Sequence, residues 1–281
     1  MRLSAIAAVI SLALSAAGGA HAAEKKVDRT FNVSPGGTLI VDADSASVRV
    51  TGSSGNQVVV HMLASASEDA LAAMKLEATQ SGNDVNVTMR RGQTGWFRSW
   101  SGGDQEIVVS VPQRFEIKVK TGGGDVELAN TTGSASLNTS GGDIVARNVT
   151  GKVESNTSGG SITMDTIRGE VDADTSGGDV HLVRVDGKMR GNTSGGNVEV
   201  DLVGANRGIV ASTSGGSIRL TLPRGTNANL EATTSGGGFT SDLPVSTTQF
   251  REGHVKGTLN GGGPSIDANT SGGDISVRAA N

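Results

Sequence analysis

Within residues 151–169 the apolar and small side chains occupy every second position. Val153, Ser155 and Thr157 share one side, with Lys152, Glu154 and Asn156 on the other; after Gly159-Gly160 the alternation restarts with Ile162 and Met164, followed by Ile167. A period of two belongs to a β-strand with one face against a core, so the segment predicts two short strands joined at a glycine corner. The unit then returns. Thr-Ser-Gly-Gly, or Thr-Gly-Gly-Gly in the first copy, begins at Thr121, Thr139, Thr157, Thr175, Thr193, Thr213, Thr234 and Thr270, in steps of 18 residues four times and then 20, 21 and 36. A fixed period of this size signals a stacked array rather than one compact core. Stacking the units produces apolar columns: Val153, Val171, Met189, Ile209, Leu230 and Ile266; Ile144, Ile162, Val180, Val198, Ile218 and Ile275; and Val149, Ile167, Val185 and Val203. The predicted fold is all-β, a single-stacked β-solenoid (β-helix) of about 18-residue coils, roughly nine of them at ~4.8 Å each.

The outward position after the paired glycines reads Asp143, Ser161, Asp179, Asn197, Ser217, with no aspartate directly following another. Leu39 and Val41 match Val48 and Val50 at the same nine-residue offset, which makes residues 37–55 a diverged first coil. Residues 56–112 leave the pattern. Gln57 to Leu63 reads as a strand, Ser67-Glu68-Asp69 as a helix start, and Val85–Met89 and Glu106–Val111 as strands. This segment is expected to form a small αβ cap over the N-terminal end of the stack. A second departure, Thr240 to Gly263, predicts a hairpin-like excursion before the last coil. The expected organisation is therefore a signal peptide over residues 1–22, a first coil and cap over 23–112, and the solenoid array over 113–281.

That leader reading rests on a positive Met1-Arg2 start, an apolar run from Leu3 to Ala17, and Ala20-His21-Ala22 as a small-x-small cleavage pattern. The run is shorter than the roughly 20 apolar residues of a membrane span, and no second run of that length follows, so the expected mature chain is exported without a span, either to the periplasm or secreted to the cell surface or beyond. Loss of residues 1–22 leaves 23 basic and 28 acidic residues, a net charge of −5, which argues against a nucleic-acid partner. Cysteine is absent, so no disulfide holds the chain. With 42 glycines and only 2% aromatic residues, the core must be thin and aliphatic.

Val111-Pro112 leading into Thr-Gly-Gly-Gly-Asp-Val, the serial Ser-Gly-Gly-Asp-Ile units, and Gly257-Thr258-Leu259-Asn260-Gly261-Gly262-Gly263 before Thr270-Ser271-Gly272-Gly273-Asp274-Ile275 resemble the bacterial putative-adhesin β-solenoid domains, a family otherwise of unknown function. The resemblance spans residues 30–280. It implies an envelope or surface location and a non-enzymatic binding or structural role, and it carries no catalytic residues.

Candidate chemistry is sparse. Parallel β-helices include polysaccharide lyases and hydrolases, whose sites need clustered carboxylates and cations; Asp165, Asp179, His181 and Glu199 are the residues here that share an outward face, against the alternative of an ordinary solvated surface. Gly-Gly-Asp at 18-residue spacing lacks the nine-residue period of calcium-binding solenoids, so no metal or other cofactor is expected. The threonine column falls on the inside, which assigns it to backbone groups at the corner rather than to an ice-binding face. Trp96, Phe97, Arg98 and Trp100, in the glycine-flanked stretch Arg90–Trp100, form the candidate contact for an envelope protein or glycan; the alternative is that these rings plug the end of the stack. A self-assembling envelope scaffold is the remaining structural reading.

Overall fold

The computed structural model describes residues 23–92, 103–251 and 253–280. The predicted signal peptide and the candidate contact residues Trp96, Phe97, Arg98 and Trp100 lie outside them.

Each 18-residue unit supplies one strand to each of two facing sheets, of 12 and 13 strands. In the unit at Gly151, Val153–Asn156 enters the larger sheet and Ile162–Arg168 the smaller one. Successive units pair in parallel and in register: Val153 faces Val171 and Ala135, and Ile162 faces Ile144 and Val180. The columns read from the sequence are the core, with Val153, Ile162, Met164 and Ile167 fully buried. Among the described residues ten coils place strands in both sheets.

The break in alternation between Met164 and Ile167 has a local cause. Asn130, Asn148, Thr166 and Arg184, one per coil, sit in the left-handed region (φ 52–60°) and bend the chain so that Val149, Ile167 and Val185 turn inward. The next coil lacks this bend. Its strand Val198–Leu202 alternates without interruption, so Leu202 pairs with Val185 and is buried, while Val203 is 38% exposed. Val203 therefore does not continue the third column.

The paired glycines serve close approach. A Cβ on Gly142, Gly160, Gly178 or Gly196 would lie 2.0–2.3 Å from a carbonyl oxygen of the coil before it. Beside them the inward threonines bridge coils. Thr157 Oγ1 donates to the Gly142 carbonyl at 2.9 Å and accepts from the Gly160 amide at 3.4 Å, and Thr139, Thr193 and Thr213 repeat the arrangement. The corner's polar groups are thus satisfied inside the stack, as buried polar groups require.

Both ends depart from chain order. Asp84–Arg90 and Gln105–Pro112, expected in the cap, form a coil of the stack, parallel to Thr38–Ala43 and Ser47–Ser53. That earlier coil is thereby sandwiched between residues 84–112 and 116–132. Beyond it Gln57–Ala66 and Ala23–Asn32 add antiparallel strands to one sheet, and Lys75–Ser81 to the other. The helix Glu68–Ala73 buries Leu71, and the adjoining Met74 is buried as well. At the C-terminal end Ser265–Thr270 and Ile275–Ala279 insert between coils 209–222 and 228–241: Ile266 touches both Ile209 and Leu230, and Ile275 both Ile218 and Phe239. The column order is therefore Ile209, Ile266, Leu230. The excursion forms the antiparallel hairpin Ser246–Arg251 and His254–Leu259, which borders Ala228–Thr234.

Candidate functional site

Two outward rows cross the smaller sheet. The first is the predicted polar column, extended at both ends by the structure: Asp125, Asp143, Ser161, Asp179, Asn197, Ser217, Asp274. Each side-chain oxygen accepts the backbone N–H of the next coil, as in Asp143 Oδ1 with Ser161 at 2.7 Å, Asp179 Oδ1 with Asn197 at 2.6 Å and Asn197 Oδ1 with Ser217 at 2.8 Å. Asp125, outside the five positions read from the sequence, precedes Asp143 directly. The Asp143 N–H, 2.8 Å from Asp125 Oδ1, gives the aspartate a donor that offsets its repulsion from the neighbouring carboxylate.

The second row lies two residues further along each strand. In register it runs Glu127, Val145, Thr163, His181, Glu199, Arg219, Ser276, Thr240. His181 Nδ1 lies 3.1 Å from Glu199 Oε2, and an Arg219 guanidinium nitrogen donates to Glu199 Oε1 at 2.6 Å. Glu199 is thus gripped from both adjacent coils.

Where the rows reach the C-terminal coils, a groove of about 580 Å³ opens, lined chiefly by His181, Asn197, Glu199, Ser217, Arg219, Gly238, Thr240, Asp274, Ser276 and Arg278. Gly238, Ser217 and Ser276 are the smallest residues of its lining. Arg278 is oriented by Asp242 Oδ1 at 3.3 Å.

Of the four face residues expected from the sequence, the structure joins only His181 and Glu199. Asp179 belongs to the ladder, and Asp165 pairs with Arg184 and accepts from Thr166 Oγ1 at 2.9 Å. The sequence reading missed Arg219, Thr240, Asp274, Ser276 and Arg278. Counting two residues past the ladder position in every unit finds Arg219, Ser276 and Thr240. Nothing in the units shows that residues 275–279 lie beside 218–222.

Arg90 pairs with Asp42 and with Asp44 at 3.5 Å, and the Arg91 N–H donates to Asp44 Oδ2 at 2.8 Å. Beyond the Arg90–Trp100 stretch in the sequence, a Cβ on Gly103 would lie 1.6 Å from the Ser65 carbonyl. Just before the stretch, Met89 pairs with Ala43, which in turn pairs with Thr121, the first residue of the Thr-Gly-Gly-Gly corner. Among the described residues no group of three His, Cys, Asp or Glu side chains is placed to hold a metal, and no helix is long and apolar enough to cross a membrane.

On the larger sheet Asp172 stands beside Asp174 on one strand and Glu154 on the next. Partial burial, then the charge and hydrogen bond of Asp174, raise its carboxyl above the ordinary aspartate value, with Arg190 at 3.6 Å opposing.

Comparison with known proteins places these features in a wider set. The family model described as Toastrack DUF4097 matches residues 38–278. A solved structure from Bacteroides fragilis, described as a putative adhesin, has the same fold: the TM-score is 0.52 at 14% identity, covering 91% of this chain and 97% of that one. A Parabacteroides distasonis protein described as a putative adhesin gives 0.42 at 13% identity, over 90% and 97% of the two chains. Another from the same species, described as a putative lipid binding protein, gives 0.42 at 13% identity, over 91% and 97%. No protein with a curated description matches.

Proposed function

The chain belongs to the Toastrack DUF4097 family, and from that premise we propose that it is an exported, non-catalytic binding module of the cell envelope, periplasmic or at the cell surface. The observation that carries this reading is the engagement of the three carboxylates expected from the sequence to share a face. Asp165 is held by Arg184, Asp179 by the Asn197 amide, and Glu199 between His181 and Arg219. Acid–base cleavage of a glycosidic bond calls for two carboxyl groups flanking the bond with their oxygens available to it. A regular stack instead offers area and register. The leader pattern of residues 1–22 supports export, and the description of the Bacteroides fragilis neighbour as a putative adhesin accords with a binding role.

Trp96, Phe97, Arg98 and Trp100 supply the partner contact in this reading, in a stretch of sequence flanked by Arg90, which pairs with Asp42, and by Gly103, which packs on the Ser65 carbonyl. The partner is an envelope protein or glycan. To test the reading, the purified chain is assayed against uronic-acid polysaccharides and, separately, for retention on isolated envelopes. No turnover is expected, and Trp96→Ala with Trp100→Ala is expected to abolish retention without lowering thermal stability. Turnover that disappears in His181→Ala would establish a lyase instead.

A further inference from the structure

We infer that the groove at the C-terminal end of the smaller sheet is a binding site for a neutral oligosaccharide, an inference that rests on the binding-module reading and gives it a ligand class. The chemistry of the lining selects the ligand. Two arginines, Arg219 and Arg278, stand against two carboxylates, Glu199 and Asp274, so the groove presents no net charge apart from His181. An anionic or cationic ligand gains little from such a surface. An apolar ligand gains less, because the apolar residues of the lining, Val198 and Ile218, are fully buried and no aromatic ring joins them.

The unused hydrogen-bonding capacity points the same way. Glu199 is fixed by its neighbours on both sides, which preorganises its oxygens. Among the described residues the Ser276 and Thr240 hydroxyls and the second ring nitrogen of His181 have no hydrogen-bond partner. Asp274 uses Oδ1 to accept the Gly238 N–H at 2.8 Å and keeps its other oxygen open. A ligand meeting these groups must both donate and accept at many points, without charge and without apolar bulk. Sugar hydroxyls do both.

The dimensions fit as well. His181, Glu199, Arg219, Ser276 and Thr240 lie on successive strands, so their row spans roughly 19 Å at the inter-strand spacing, long enough for several sugar units. The volume of about 580 Å³ falls within the ~300–1,000 Å³ of small-molecule sites. The site is also built late in the chain. Asp274, Ser276 and Arg278 belong to the inserted last coil, so the groove exists only once residues 265–279 have docked between coils 209–222 and 228–241.

The test is calorimetric titration of the full chain with neutral tetraoses of glucose, mannose, galactose and N-acetylglucosamine, with tetragalacturonate as the anionic arm. Binding of at least one neutral tetraose is expected. Ser276→Trp, which fills the groove from an outward strand position, should weaken that binding by about tenfold or more. Val145→Trp, five rungs from Ser276 in the same row, should not change it, and equal melting temperatures would show both variants folded. The inference is overturned if no neutral tetraose binds, if tetragalacturonate binds more tightly than all of them, or if Ser276→Trp binds like the parent. Retention on envelopes that survives Ser276→Trp, together with absence of tetraose binding, would remove the groove while leaving the binding-module reading in place.

Discussion

Gly141 and Gly142 are adjacent in one corner and differ in the room a side chain would have. A Cβ on Gly142 would lie 2.3 Å from the Gly124 carbonyl oxygen, whereas one on Gly141 would find nothing nearer than 3.7 Å. Gly142→Ala is therefore expected to force two coils apart and cost more than about 2 kcal/mol, while Gly141→Ala stays within about 0.5 kcal/mol; urea unfolding of the two variants checks the contrast. Thr157→Val removes a hydroxyl bonded to the Gly142 carbonyl and should cost about 1–2 kcal/mol by the same measurement. Asp172 supplies a pH signature. Its carboxyl is raised in the folded chain, so the folded state binds the proton more tightly than the unfolded one. Its contribution to stability is most favourable below the ordinary aspartate value of 3.8 and declines as pH rises through that value to the raised one. Asp172→Asn should accordingly raise the melting temperature at neutral pH and leave it unchanged near pH 2. At this scale much was legible from the sequence: the shared parity of Thr157 with Val153 and Ser155 already placed the hydroxyl inside. Its acceptor was not legible, because that carbonyl belongs to another coil.

The two-strand coil and its glycine corner follow from alternation alone, and the C-terminal hairpin follows from the break in it. The order of coils does not. Leu230 and Ile266 occupy equivalent slots, each four residues before a Thr-Ser-Gly-Gly, so either fits beside Ile209, and only the completed stack selects Ile266. The strands Asp84–Arg90 and Gln105–Pro112 were hidden as a coil because no Thr-Ser-Gly-Gly separates them in the sequence, so they looked like parts of a cap. The inserted last coil makes coils 209–222 and 228–241 depend on each other through it. Ile275→Asp buries an unpaired charge between them, which fully buried positions resist. Amide exchange should show coils 209–241 and the hairpin losing protection together, while strands between residues 116 and 185 keep theirs, as expected of nearest-neighbour coupling.

The whole stack ends in edges unsuited to growth. Ala23–Asn32 carries Glu24, Lys25, Lys26, Asp28 and Arg29, and at the other end Phe239–Ser241 has only three residues and Ser246–Arg251 is polar apart from the exposed Phe250. Charged and short edges oppose strand pairing between copies, so sedimentation across a hundredfold concentration range is expected to show a monomer, against a self-assembling scaffold. The groove was beyond the reach of the sequence because it belongs to no single unit: its lining comes from five strands, one of them out of chain order. Crosslinking in the native envelope, followed by mass spectrometric identification, decides whether this stack is an exported binding module. The chain should fractionate with the envelope and crosslink to a discrete envelope protein or glycan; recovery with cytosolic proteins, or an envelope-resident chain that crosslinks to nothing, would contradict it.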